Sequence, residues 1–111
     1  MGRSGYLGEL EQIVMLAVAR LEQDAYGMSI RREIEDRTGR SVAIGAVYST
    51  LERLQEKGYV RSVAPPGDTE RDGRARRFFE LTRGGIDALD ASSRMQTRMW
   101  AGIRLKKAGR S

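Results

Sequence analysis

The sequence predicts a mainly α-helical protein that carries one small β-hairpin. Three observations lead to this fold class. Three segments ahead of Gly58 repeat apolar side chains at the three- and four-residue spacing of a helix. Two short strand-like runs follow, joined by a stretch dense in proline, glycine and aspartate. A last segment then returns to the helical spacing.

The first two helices are predicted from apolar spacing and from end signals. One helix spans about residues 7–21, and its apolar face consists of Leu10, Ile13, Val14, Ala17 and Leu21. The next begins near Asp24, a residue type that favours N-caps, and is followed by Gly39, which suits the left-handed position after a helix. Its inward side consists of Tyr26, Ile30 and Ile34.

The third helix is predicted to start after Ala43 and to end at Lys57, with Gly58 as its stop signal. Its buried stripe consists of Val47, Leu51 and Leu54. Because only a short turn separates it from the second helix, the pair is typical of a helix-turn-helix.

The strand-like runs cover residues 59–64 and 75–81, and the loop between them is rich in turn residues. Thr82 then caps a last helix that runs from about Arg83 towards Leu105. Three helices, a two-stranded wing and one further helix make a winged helix-turn-helix. We expect residues 1–82 to form this domain and residues 83–111 to add a C-terminal helix and basic tail, as one compact unit.

The composition argues against an enzyme, a metalloprotein and a membrane protein. The chain has no histidine and no cysteine, which removes the commonest nucleophile–base pairs and most transition-metal sites. We therefore expect no catalytic residues, no metal and no cofactor. The apolar run from Ile13 to Ala19 ends at Arg20, well short of a membrane span, and no signal-peptide pattern is visible. We expect a soluble protein of the cytoplasm.

The charge balance favours a polyanionic partner. Lysine and arginine number 20 against 15 acidic residues, for a net charge of +5, and the excess is concentrated at two places. One is the hairpin, with Arg71, Arg74, Arg76 and Arg77. The other is the C-terminal segment, where every charged side chain beyond Asp90 is basic.

A series of short motifs keeps one order and spacing between Leu7 and Leu89. They are Leu7-Gly8-Glu9-Leu10-Glu11, Ala25-Tyr26-Gly27 with Ile30, Gly45-Ala46-Val47-Tyr48-Ser49-Thr50-Leu51-Glu52-Arg53-Leu54, Glu56-Lys57-Gly58-Tyr59-Val60, Gly73-Arg74, Arg76-Arg77-Phe78-Phe79, and Leu81-Thr82 with Gly85. With this series the chain resembles the PadR family of bacterial transcriptional regulators, in the branch with a single C-terminal helix. Two positions depart from the family pattern: Ala43 cannot cap the third helix with a side chain, and Asp72 stands beside Gly73-Arg74.

The resemblance implies a sequence-specific DNA-binding transcriptional regulator. It implies a homodimer that acts as a repressor by binding double-stranded DNA at an inverted repeat in a promoter and that a small effector can release. The alternative function is a winged-helix protein-interaction module without a DNA role, because a fold does not decide a function. An enzyme finds no support, since Asp87 and Asp90 share a helix face without a basic or nucleophilic partner.

The third helix is the predicted DNA-reading element. With its apolar stripe buried, its small and polar residues are expected to face the major groove. The predicted contacts are Gly45, Tyr48, Ser49, Thr50, Arg53 and Lys57. Alternatives stay open for each: an ordinary solvated face, a half-buried core position for Tyr48, and a helix-dipole role for Lys57.

The wing supplies the second predicted contact. Side chains alternate along a strand, so Arg76 and Arg77 cannot both face DNA, and we select Arg74 and Arg76. The alternative is a solvated loop, because acidic residues lie among the arginines of the same loop.

The C-terminal helix carries an apolar side that a single domain cannot easily cover. It consists of Met95, Met99, Trp100 and Ile103, and we predict a dimer interface there. The resemblance implies that an aromatic residue in this helix can line a drug-binding cavity between subunits. Trp100 is therefore a candidate contact for a small apolar or aromatic effector, the alternative being that it only packs in the interface.

Overall fold

The computed structural model describes residues 7–64 and 76–105. In these two ranges the elements, in chain order, are α1 (Glu9–Leu21), a 3-10 helix (Glu22–Asp24), α2 (Gly27–Thr38), α3 (Ile44–Glu56), β1 (Val60–Val63), β2 (Phe78–Leu81) and α4 (Arg83–Trp100). This order confirms the predicted fold class, a mainly helical winged helix-turn-helix with a small hairpin. None of the helices in the described ranges is both long and apolar enough to span a membrane.

The start of α2 differs from the prediction. Asp24 is not its N-cap, because the chain at Ala25 and Tyr26 is extended and lies beside the hairpin. Tyr26 forms an antiparallel bridge with Phe78, and the Phe79 amide donates to the Ala25 carbonyl at 2.9 Å. The helix begins only after this contact, where the Tyr26 amide donates to the Ser29 hydroxyl at 2.9 Å.

The limits of α3 agree with the prediction. Ala43 stands at the N-cap and makes no side-chain cap hydrogen bond. At the other end Lys57 is the C-cap, and Gly58 adopts a φ of 81°, the left-handed conformation that glycine tolerates. The chain then leaves α3 directly into β1.

The hairpin is antiparallel, and its register pairs Val60 with Leu81 and Val63 with Phe78. Both strands are shorter than predicted, because Tyr59, Ala64, Arg76 and Arg77 lie outside the ladder. The predicted loop from Pro65 to Arg74, with Ala75, lies outside the described residues.

Thr82 caps α4 as predicted, but the helix ends earlier than predicted. The Thr82 hydroxyl accepts from the Gly85 amide at 3.0 Å and donates to the Gly58 carbonyl at 2.6 Å, so one side chain ties α4 to the end of α3. The helix ends at Trp100 instead of continuing towards Leu105. Gly102, at a φ of 78°, turns the chain away, so Ile103 lies beyond the helix.

The core lies between the first three helices and the inner face of the hairpin. Its fully buried large side chains are Val14, Met15, Val18, Ile30, Val47, Leu51, Leu54 and Phe79. One polar residue of α3, Thr50, is as deeply buried as these, and the carboxylate of Glu11 lies at the edge of the core. Both residues contact cations at the end of α3, Thr50 contacting Arg53 and Glu11 contacting Lys57.

Candidate nucleic-acid interface

The buried residues of α3 show which side of this helix faces away from the core. Each residue turns a helix by about 100°. The four buried residues of α3 are Val47, Thr50, Leu51 and Leu54. The opposite side forms the outward line of α3. It consists of Gly45, Ser49, Glu52 and Glu56, at spacings of four, three and four residues, and all four are exposed. Tyr48 lies on one flank of this line and Arg53 on the other.

The expected exposure of Thr50 is wrong. Thr50 is 1% exposed, because it lies one turn after Val47 and one turn before Leu54 on the core side of the helix. Its hydroxyl accepts a hydrogen bond from the Arg53 guanidinium at 3.3 Å, which satisfies the polar atom there. A side chain buried in this way cannot reach a base edge, so Thr50 is removed from the candidate contacts.

The first turns of α3 present little side-chain bulk to the outside. A Cβ added at Gly45 would meet no atom within 4 Å. Ser49 is exposed, and its hydroxyl donates to the Gly45 carbonyl at 3.0 Å, one turn back on the same helix. Another surface can therefore approach the backbone closely at this end of α3.

Tyr48 lies across the start of α2 and is 40% exposed. A Cβ at Gly27 would overlap with the Tyr48 ring and hydroxyl. The glycine of the Tyr26-Gly27 motif thus leaves room for this ring, and the hydroxyl comes to lie beside the first turn of α2. The tyrosine is therefore half-buried, with part of its side chain at the surface.

The two cations at the end of α3 lean towards α1. The Lys57 ammonium donates to both carboxylate oxygens of Glu11, at 2.9 and 3.0 Å, and the Arg53 Nε lies 3.5 Å from one of them. The Gly8 amide donates to the same carboxylate at 2.9 Å. About half of the Arg53 side chain remains exposed, and about a third of Lys57.

Glu11 is the residue that reasoning from the sequence missed. Burial raises the pKa of its carboxyl, but the Gly8 amide, the Lys57 ammonium and the Arg53 guanidinium together outweigh burial, so the pKa lies below its ordinary value of 4.5. A signal was available in the sequence, because Glu11 precedes Val14, Met15 and Val18 at the spacing of one helix face. A carboxylate on a buried helix face is expected to pair with a cation.

Arg76 and Arg77, the two described arginines at the base of the wing, have different partners. The Arg76 guanidinium lies 4.5 Å from the centroid of the Tyr26 ring, which in turn packs 5.3 Å from the ring of Phe78. Arg77 points elsewhere: it lies over Phe79 and donates to Gln55 at 3.0 Å and to Ser62 at 3.2 Å. Arg76 is therefore held on the side of α2, whereas Arg77 joins the hairpin to α3. Arg74, the other predicted wing contact, lies outside the described residues.

The apolar side chains singled out near the C-terminus are all exposed in the single chain. The exposed fractions are 53% for Met95, 71% for Met99, 55% for Trp100 and 51% for Ile103. On α1, Leu16 is also half exposed. It lines a groove of about 440 Å³ between α1 and α4, together with Gln12, Leu89, Asp90, Ser93 and Gln96.

Comparison with known proteins places the chain in a family. A model of the PadR-like family of transcriptional regulators matches residues 15–91. An uncharacterized protein of Lysinibacillus sphaericus is 32% identical over 80 residues, which are 70% of this chain and 69% of that protein.

Two solved structures share the fold. A PadR family transcription regulator of Clostridium difficile R20291 is 26% identical, with a TM-score of 0.59 over 79% of this chain and 93% of the other. A PadR family regulator of Eggerthella lenta, at 23% identity, has a TM-score of 0.65 over 85% and 81%. Members of this family regulate transcription and are not enzymes. The chain belongs to the PadR-like family of transcriptional regulators.

Proposed function

We propose that this regulator is a homodimeric repressor that binds a specific sequence of double-stranded DNA in a promoter. The observation that carries the proposal is the outer surface of α3, where Gly45 and Ser49 leave the first turns open to close approach. A helix of this kind can enter the major groove and bring the side chains of its outer surface to the base edges. Because such a protein acts on promoters, we assign it to the cytoplasm.

Each flank of α3 has a role in this proposal. On one side the Tyr48 hydroxyl donates to a phosphate, while its ring stays packed on Gly27. On the other side Arg53 reaches a phosphate or a guanine edge, and Lys57 adds positive charge near the backbone. The exposure of Tyr48 and Arg53 supports these roles. Residues 1–82 carry the DNA contacts, and residues 83–111 carry dimerisation.

The wing adds phosphate or minor-groove contacts through Arg74 and Arg76. Replacing both by glutamine is expected to weaken binding to all DNA sequences and to lower the slope of log affinity against log salt by about 2. Fluorescence anisotropy at four salt concentrations measures this slope. Arg20→Gln, on α1 and paired with Glu33, is the control that should leave the slope unchanged. An unchanged slope in the wing variant would rule out the wing contact.

Dimerisation buries the exposed apolar side of α4 against α1 of a second copy. Exposed Met99 and Trp100 on α4, and exposed Leu16 on α1, support this pairing. Replacing Met99 and Trp100 together by serine is expected to weaken the dimer about 100-fold or more, because two large apolar side chains per subunit lose their burial.

Sedimentation at micromolar concentration measures that change. Arg94→Ala, an exposed change on the same helix, is the control that should keep the dimer. A double serine variant that sediments as a dimer would contradict the interface. Trp100 is the single tryptophan of the chain, so its fluorescence also reports whether a small aromatic effector binds beside it.

The direct test of the proposed function is binding under competition. The purified protein is mixed with a labelled fragment of its own upstream region at physiological salt, with an excess of unrelated DNA. Retained binding supports a sequence-specific regulator. Loss of binding would mean that positive charge alone held the DNA, and a protein-interaction role for the winged helix would replace the proposal.

A further inference from the structure

The outward line of α3 carries two carboxylates in its second half, Glu52 and, as the last residue of the helix, Glu56. Within residues 7–64 and 76–105, neither makes a hydrogen bond or an ion pair. The nearby cations turn to other partners: Arg53 and Lys57 to Glu11, and Arg77 to Gln55. The part of α3 that points straight away from the core is thus polar and negatively charged from Ser49 onward.

A carboxylate in this place opposes the approach of DNA unless it finds a donor. It lies among phosphates that repel it, and it loses water when the helix enters the groove. The donors that bases present in the major groove are the amino groups of cytosine N4 and adenine N6. Guanine and thymine present acceptors there, which repel a carboxylate.

Cytosine suits the carboxylate better than adenine. Adenine places the acceptor N7 beside its amino group, so one carboxylate oxygen would face another acceptor. Cytosine presents the amino group without such a neighbour on the same base. The two donors therefore differ in what surrounds them.

Resting on the proposed function, we infer that Glu52 determines sequence specificity by accepting a hydrogen bond from the N4 amino group of one cytosine in each half-site. It also excludes other bases at that position, since guanine and thymine would place acceptors against an unpaired charge. Arg53 then contributes to the affinity for DNA, whereas Glu52 contributes to the discrimination between bases.

Glu56 is a matched control for Glu52. Both are exposed glutamates on the same line of α3, one turn apart. Glu56 is the last residue of the helix, however, and lies one turn farther than Glu52 from the N-terminal end that enters the groove. Removing its charge should strengthen binding to all sequences alike, without a change in base preference.

Selection from a library of random-sequence duplexes, followed by sequencing, tests the inference on the full-length protein. We expect the wild type to select a site that has one cytosine at a fixed position in each half-site. The preference for this cytosine should depend on Glu52. Glu52→Gln should exchange this cytosine for adenine, because an amide can pair with both N6 and N7 of adenine. On the wild-type site, Glu52→Gln should lose roughly 5- to 150-fold in affinity relative to unrelated DNA. Glu56→Gln should select the wild-type site.

Each contrary result has a separate meaning. If the wild type selects a defined site and Glu52→Gln selects the same site at every position, the inference is wrong and the regulator still reads DNA by other residues. If the wild type selects no site, the proposed function fails and the inference fails with it. Thermal unfolding of both variants, which change only exposed side chains, should match the wild type and so confirms that folding is intact.

Discussion

Replacing Gly85 by alanine is expected to destabilise the protein by about 3 kcal/mol, because the added methyl group has no space. A Cβ at this position would overlap with the Tyr59 carbonyl oxygen and stand 3.0 Å from its carbonyl carbon. The same oxygen accepts from the Thr82 amide at 3.0 Å, so the strand end cannot shift without breaking that hydrogen bond. Since the neighbour is backbone, no side-chain rotation relieves the overlap.

The adjacent glycine provides the control for this prediction. A Cβ at Gly84 would lie 3.6 Å from the Gly58 carbonyl oxygen and 3.7 Å from the Thr82 hydroxyl, both ordinary contacts. Gly84→Ala should be neutral or stabilise the helix by up to about 1 kcal/mol. Urea unfolding of both variants measures the difference. Equal stability of the two would contradict the close approach of α4 to the end of α3.

Replacing Glu11 by glutamine is expected to lower the free energy of unfolding by about 2 kcal/mol at pH 7, because charge-assisted hydrogen bonds are lost. The carboxylate accepts two bonds from Lys57 and one from the Gly8 amide, and its side chain is only 9% exposed. Glu9→Gln is the control. Glu9 is 78% exposed and has one ion pair at 3.4 Å, so its loss should change stability by less than about 0.5 kcal/mol.

The contribution of Glu11 should also depend on pH. Its pKa in the folded protein lies below the ordinary value of 4.5, so the folded state favours the ionised form. The resulting stability is fully present above pH 4.5 and is lost as the pH falls through the folded pKa. Urea unfolding at pH 7 and at progressively lower pH should show the wild type and Glu11→Gln converging. A constant difference between them would contradict an ionised Glu11 as the source of the effect.

The sequence predicted α3 well because its C-terminal end and its buried face are marked by local residues. Gly58 provides the left-handed stop, and the apolar stripe provides the period. Thr50 was misjudged for a physical reason: its hydroxyl suggested exposure, whereas its place on the helix put it in the core. The Arg53 guanidinium supplies the hydrogen bond that makes this burial tolerable.

The start of α2 could not be predicted from local signals. Asp24 is a good N-cap residue, yet the extended pairing of Ala25 and Tyr26 with Phe79 and Phe78 of the hairpin delays the helix. These partners are distant in the sequence, so no window around Asp24 contains the information. The pairing of Glu11 with Lys57 is missing from local patterns for the same reason, although the buried position of Glu11 was readable.

The outward line of α3 was also only partly predictable. Gly45 and Ser49 follow from the positions opposite the apolar stripe. Glu52 and Glu56 lie on the same line, and the burial of Thr50 shows that this line passes closer to Glu52 than to Arg53. Residue types alone drew attention to Arg53, whose contact with DNA stays a prediction, and did not single out the two glutamates.

The measurement that tests the central claim most directly is a hydroxyl-radical footprint on the DNA sequence that the protein binds with highest affinity. A homodimer that inserts one α3 per half-site predicts two protected segments related by two-fold symmetry, with centres one helical turn apart, roughly 34–36 Å. A single unsymmetrical segment, or protection spread evenly along the fragment, would contradict a dimer that reads DNA through α3.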